Sequence, residues 1–216
     1  MLKLLKKDLK LNMHPALYLF ALLGAMVLIP NYPYIVGVGY SIMHIMVYFQ
    51  FVNENRSQEF SATLPVKRSD IVASTTLAVT LCQLTNLAVG GICAYPSYLI
   101  NPNKFNYVGL DCNFTFFGVS LLCLGVFNIV VVPRYFKTGY KYGFTLILGL
   151  ISFVISYGAI EFTVQLVPQL TKSLDGYDAG FIWARLTVLL LGVIMYPTLT
   201  YTANKIATKK FEKVNL

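Results

Sequence analysis

Six apolar runs alternate with short polar connectors along the chain. Each approaches the about 20 residues that a helix needs to cross the hydrocarbon of a bilayer. The pattern predicts spans at about 14–30, 34–52, 71–100, 112–132, 143–167 and 181–202. The first is short and closes on Pro30, Asn31 and Pro33, where proline removes a donor and fixes φ in a tight turn. The third is the most polar, with Thr75, Thr76, Thr80, Gln83, Thr85 and Asn86. Gln83, Asn86 and Gly90 share one face at i, i+3 and i+7. Unpaired amides in lipid are costly, so this face must meet protein or a wet cavity. Interhelical bonding and a substrate path are its two readings. Gly37 with Ser41, and Gly118 with Gly125, also fall at helical spacings that let a neighbouring backbone approach.

Two segments depart from this pattern. Over residues 1–13, Leu2, Leu5, Leu9 and Met13 share one helical face, and Lys3, Lys6, Lys7 and Lys10 another. Such a helix lies in the interface, its leucines at the acyl boundary and its lysines on anionic headgroups. The alternative is the n-region of a signal peptide with Ala16–Leu28 as its apolar core. The second segment is Asn53–Asp70, NENRSQEFSATLPVKRSD, the longest polar stretch between apolar runs. Asn55-Arg56-Ser57-Gln58 fits a capping box, with Asn55 as N-cap and Gln58 at N3. A short helix over about 56–63 then places Phe60 and Leu64 on one edge, and Pro65 ends it. Ser69 or Asp70 caps the third span.

The 216 residues are 56% hydrophobic and 12% charged, about half the charge of a soluble domain. The reading is an all-α integral membrane protein: a single transmembrane domain, 1–216, with an interfacial helix, six spans and both termini cytoplasmic. No polar stretch is long enough to bury a separate core. The net charge of +8 does not point to nucleic acid. With the termini inside, 14 of the 17 Lys and Arg fall on the cytoplasmic side, as the positive-inside rule requires. Only Lys104, Lys172 and Arg185 fall outside.

Candidate chemistry is sparse. The sequence has no G-x-x-x-x-G-K-[ST] for nucleotide and no H-E-x-x-H for zinc. No span carries a pair of carboxylates, so no catalytic residue, metal site or bound cofactor is expected. Cys82, Cys93, Cys112 and Cys123 have no ligand spacing, and Asn113-Phe114-Thr115 is a weak glycosylation match. His44 lies mid-span and is read as a neutral imidazole bonded to a neighbouring helix, with a functional role as the alternative. Tyr157, Glu161 and Gln165 recur at i+4. Glu161 falls near the outer interface, where a carboxylate stays partly hydrated. Trp183 fits the aromatic belt, Arg185 is expected to snorkel outward, and Pro197 to kink the last span.

Glu54 with Leu64-Pro65-Val66-Lys67-Arg68-Ser69-Asp70-Ile71-Val72 resembles the loop after the second span in compact bacterial permeases of ABC-2 type exporters. The basic interfacial helix, the six spans and Leu-Pro-x-x-Arg-x-x-Ile/Val are similar to that family. Where the family often carries a basic residue early in the third span, this chain reads Ala73-Ser74-Thr75-Thr76. The resemblance implies a cytoplasmic coupling loop at 53–70. Glu54, Glu59, Phe60, Leu64, Pro65, Lys67 and Arg68 would dock a separate ABC ATPase subunit that binds ATP and Mg. It also implies a second permease copy or a related permease, a bacterial cell membrane, and a hydrophobic or amphipathic substrate such as a peptide. Gln83, Asn86, Tyr157 and Glu161 are the candidate pathway or interhelical polar residues. A non-transporting adaptor or sensor and an intramembrane enzyme are the other readings of the residues.

Overall fold

A computed structural model describes residues 2–12, 17–100 and 106–213; Met13, His14 and Lys104 lie outside them. The helices are α1 (Leu2–Asn12), α2 (Leu17–Leu22), α3 (Tyr34–Glu54), α4 (Ser57–Thr63), α5 (Arg68–Ile100), α6 (Phe114–Lys137), α7 (Gly143–Leu166), α8 (Pro168–Leu174) and α9 (Ile182–Phe211). Among the described residues, five helical segments are long and apolar enough to cross a membrane: 34–54, 68–100, 114–137, 143–166 and 179–211. α5 has 33 residues, about 50 Å at 1.5 Å each. α6 runs through Pro133, and α9 through Pro197 and past the expected end at 202. Part of the expected 133–142 turn and most of the lysine-rich tail are therefore helical.

The first expected span is the exception. After six α-helical residues the chain tightens into a 3-10 helix over Leu23–Leu28. These twelve described residues rise about 20 Å. The break coincides with a contact from another helix. Asn86 Nδ2 donates to the Phe20 carbonyl at 3.1 Å and to the Gly37 carbonyl at 3.1 Å. A side chain from α5 thus occupies a carbonyl that an undisturbed α-helix would bond internally.

α6 is the central helix, packed along α9 and α7, while α5 packs along α3 and the 17–28 segment. Gly118 and Gly192 set the closest approach. A Cβ on Gly192 would overlap the Gly118 carbonyl, and one on Gly118 would lie 2.5 Å from the Val188 carbonyl. The two groups of helices share a buried polar joint in the middle of the bundle. Gln83 and Asn128 exchange amide bonds of 2.9 and 3.0 Å, Asn128 also donates to Thr200 at 2.9 Å, and Tyr196 donates to Gln83 at 2.7 Å. All four side chains are buried, and each polar atom of the amide pair has a partner. Gln83 and the Nδ2 of Asn86 thus make interhelical hydrogen bonds, while Asn86 Oδ1 has no partner among the described residues.

Candidate functional site

The polar island closes one end of the bundle. α3 runs to Glu54, with Asn55 still in the helical region at φ −80°. Arg56 then turns left-handed at φ 45°, and α4 begins at Ser57 without a side-chain cap. The expected capping box does not form. Asn55 Nδ2 reaches α1 instead, at the Leu11 carbonyl and Asn12 Oδ1, both 3.2 Å away. Gln58 is buried and donates to Thr75 of α5 at 2.7 Å. Leu64 is extended at ψ 151° before Pro65, as the residue preceding a proline prefers.

α1 supports α4 from beneath, on a face that the leucine and lysine stripes conceal. Leu4, Asp8 and Asn12, each four residues apart, are its buried positions. Asp8 accepts from Ser74 Oγ of α5 at 2.7 Å and lies 3.0 Å from Lys7 Nζ. Lys7 in turn donates to the carbonyl and hydroxyl of Ser57, at 3.1 and 3.0 Å, and to Ser61 Oγ. Asn12 Nδ2 donates to Ser57 Oγ at 3.1 Å. So Lys7 points into the protein, leaving Lys3, Lys6 and Lys10 exposed. Asp8, the lone acid among four lysines, was the available sequence signal.

The far side of the island is tied to the end of α9. Arg68 donates to the carbonyls of Phe211 at 2.8 Å and Glu212 at 3.1 Å, and its guanidinium lies 5.3 Å from the Phe211 ring centroid. A cation on the last carbonyls of a helix opposes the negative end of its dipole. Phe211 packs on Phe136 and Tyr140, and Asn53 Nδ2 donates to the Tyr140 carbonyl at 3.3 Å. The half-buried Arg68 thus ties the start of α5 to the end of α9.

Between these two attachments α4 shows Glu59 and Phe60 to the outside, Phe60 with 57% of its surface exposed. Pro65 and Lys67 are exposed as well, Leu64 packs partly on the core, and Glu54 accepts from Gln50 at 2.9 Å. A groove of about 420 Å³ separates α4 from the turn after α6, with Arg56, Glu59 and Lys141 among its lining.

Tyr157 and Glu161 lie elsewhere, in an apolar groove of about 500 Å³ between α3 and α7 that also includes Gly39, Tyr40, Met43 and Phe153. At its end Glu161 is half-buried against Gly109 and borders a second cavity of about 490 Å³ with Tyr107 and Gln165. The four polar candidates therefore divide, Gln83 and Asn86 inside the bundle, Tyr157 and Glu161 on an open groove.

Two further expectations are corrected. His44 is buried and stacks on Phe20 at 6.5 Å, but neither ring nitrogen has a hydrogen-bond partner among the described residues. Arg185 does not snorkel; it is buried and donates to the carbonyls of Asp178 at 2.9 Å and Asp175 at 3.2 Å. Asn113, the residue of the weak glycosylation match, is buried. It caps α6 through Phe116 N at 3.2 Å, and its amide donates to Leu174 and Gly176 at 3.0 and 2.9 Å. Trp183, by contrast, is exposed.

A family model described as ABC-2 family transporter protein matches residues 3–211. The chain belongs to the ABC-2 transporter family. No curated protein and no solved structure matches it. This ABC-2 permease is a multi-pass membrane transport component. Its family implies an ABC ATPase as partner in general, which directs attention to the island end, where α4 stands out from its attachments.

Proposed function

We propose that this ABC-2 permease is the membrane half of an ATP-driven exporter in a bacterial cell membrane, and that α4 is its coupling helix. The carrying observation is the exposed Phe60 on a seven-residue helix held by α1 and α5. An amphipathic element presented this way fits a groove on a partner. ATP and Mg belong to that separate ATPase. Glu54, Glu59, Leu64, Pro65 and Lys67 surround the contact, and Arg68 holds its base. The island end is cytoplasmic, the 17–28 segment is a short sixth crossing, and the exposed lysines of α1 rest on anionic lipid.

The α3–α7 groove supports the rest of the reading. Gly39 and Gly158 face open space there, and small residues on a lipid-facing surface admit a second helix closely. A second permease copy or a related permease on this face would enclose Tyr157 and Glu161 in a mostly apolar pathway. That lining suits a hydrophobic or amphipathic substrate, such as a peptide.

The test is co-purification with the cognate ATPase and the hydrolysis it stimulates. Phe60→Ala is expected to weaken association by about 2 kcal/mol, as for a buried aromatic anchor, and more than Lys67→Ala. Unchanged association and hydrolysis after deletion of residues 56–63 would exclude α4 as the coupling element.

A further inference from the structure

We propose that Asp8 is a positioning residue for transport. It fastens α1, α4 and the start of α5 into one body, so that a displacement of α4 reaches α5. This rests on the coupling role proposed above for α4.

α4 is joined to its neighbours by two breaks. Arg56 is left-handed before it, and Leu64 is extended after it. A seven-residue helix between two such joints would swivel under load unless something else fixed its angle. The 3% exposed Asp8 supplies that constraint, because its carboxylate touches all three helices. Oδ2 accepts from Ser74 of α5 at 2.7 Å. Oδ1 accepts from Ser57 of α4 and Asn12 of α1, each at 3.4 Å, and lies 3.0 Å from Lys7. Lys7 extends the connection to Ser57 and Ser61. Apolar packing would tolerate sliding of α1 along α4, whereas charge-assisted bonds in a place with little water fix both register and angle. Gln58 to Thr75, at 2.7 Å, is a second strut near the first. Together they join α4 to the helix that carries Gln83 and Asn86.

The test uses full-length permease with its cognate ATPase in vesicles of phosphatidylethanolamine and phosphatidylglycerol. Association and stimulated ATP hydrolysis are measured separately, because a purely structural role would move both alike. Asp8→Asn keeps the size of the side chain and removes the charge that holds Lys7. It is expected to lower stimulated hydrolysis about tenfold while association changes by less than about threefold. Asp8→Glu, which keeps the charge, should recover part of the loss. A covalent substitute provides the decisive arm. Lys7→Cys with Ser61→Cys in the Asp8→Asn background removes both buried charges and places two thiols that a short bismaleimide can join across α1 and α4, a wider gap than a disulfide spans. Joining them should return hydrolysis to within about twofold of the parent.

Unchanged stimulation in Asp8→Asn overturns the proposal, and so does a cross-link that forms without restoring hydrolysis. Should Asp8→Asn fail to insert, Ser74→Ala, which removes the bond from α5 to Asp8 and keeps the charge, is measured in its place; lowered stimulation with association retained supports the proposal, and unchanged stimulation overturns it. The two readings also fail differently. If deleting residues 56–63 leaves stimulation intact, the coupling role of α4 falls. If that deletion abolishes stimulation but Asp8→Asn does not lower it, only the role of Asp8 falls.

Discussion

The two ends of the bundle are both held by buried carboxylates, but by different bonds. At the island end Asp8 has a cation, Lys7, 3.0 Å away, and its other partners are side chains on separate helices. At the opposite end Asp111 and Asp175 bond mainly to backbone N–H groups. Asp175 accepts from Asp111 N at 2.8 Å and Gly176 N at 3.1 Å, and Asp111 accepts from Asn106 N at 2.6 Å. Arg185 gives its guanidinium to two carbonyls there, and Asp111 Oδ2 has no partner among the described residues. Burial, with the charge of Asp175 beside it, pushes the Asp111 carboxyl up to about 7. Side-chain bonds between helices join pieces that then travel together. The carboxylate–backbone bonds at the other end tie the connector before α6 to the one before α9. One end is built as a handle and the other as a cap.

Breaking the cap has the largest expected effect. Asp175→Ala strips partners from Asp111 N, Gly176 N and Gln165 Nε2 and is expected to cost about 3 kcal/mol, read as a lower midpoint of thermal unfolding in detergent. Lys7→Met tests the handle. It leaves Asp8 buried without its cation and should cost about 2 kcal/mol, with greater protease sensitivity of the 55–67 segment. Asp111→Asn sharpens the contrast through pH. A carboxyl raised from 3.8 to about 7 contributes stability that is fully present below about 3.8 and is lost as pH rises through about 7. The parent should therefore lose stability between pH 4 and 8, while Asp111→Asn removes that component and is more stable by about 1 kcal/mol at pH 8. An unaltered pH profile in the variant would show that Asp111 does not titrate in this window. Phe60→Ala comes last, with a change in unfolding of less than about 0.5 kcal/mol, because Phe60 is 57% exposed; its effect belongs to association alone.

Periodicity carried most of the fold. Each long helix starts and ends near a polar connector, and Gly118 with Gly125 does face a partner helix, α9. The amide face of α5 was also legible, since Gln83 and Asn86 could not face lipid. What it bonds to was not, because Asn128 is a single polar residue in an apolar run, Tyr196 and Thr200 lie among the other hydroxyls of 196–202, and only the packing brings these three to Gln83. The break at Leu23 was hidden for the same reason: it coincides with a bond from Asn86, far along the chain. In the island, local rules misled where tertiary bonds won. Asn55 had the pattern of a cap, and α1 took its amide. Arg68 carried the resemblance to the family, yet nothing local pointed to its place on the last turn of α9.

The amide joint in α5 has a consequence for the order in which the chain is made. When α5 leaves the ribosome, both carbonyl partners of Asn86, on Phe20 and Gly37, have already been synthesised. Those of Gln83 have not: Asn128 lies 45 residues downstream and Tyr196 lies 113. One amide of the same helix face can therefore be satisfied as the helix enters the bilayer, while its neighbour has to wait. Lateral release of α5 into lipid before α6 arrives would expose Gln83 to hydrocarbon, so insertion favours α5 and α6 leaving the translocation channel together, with α9 completing the joint last.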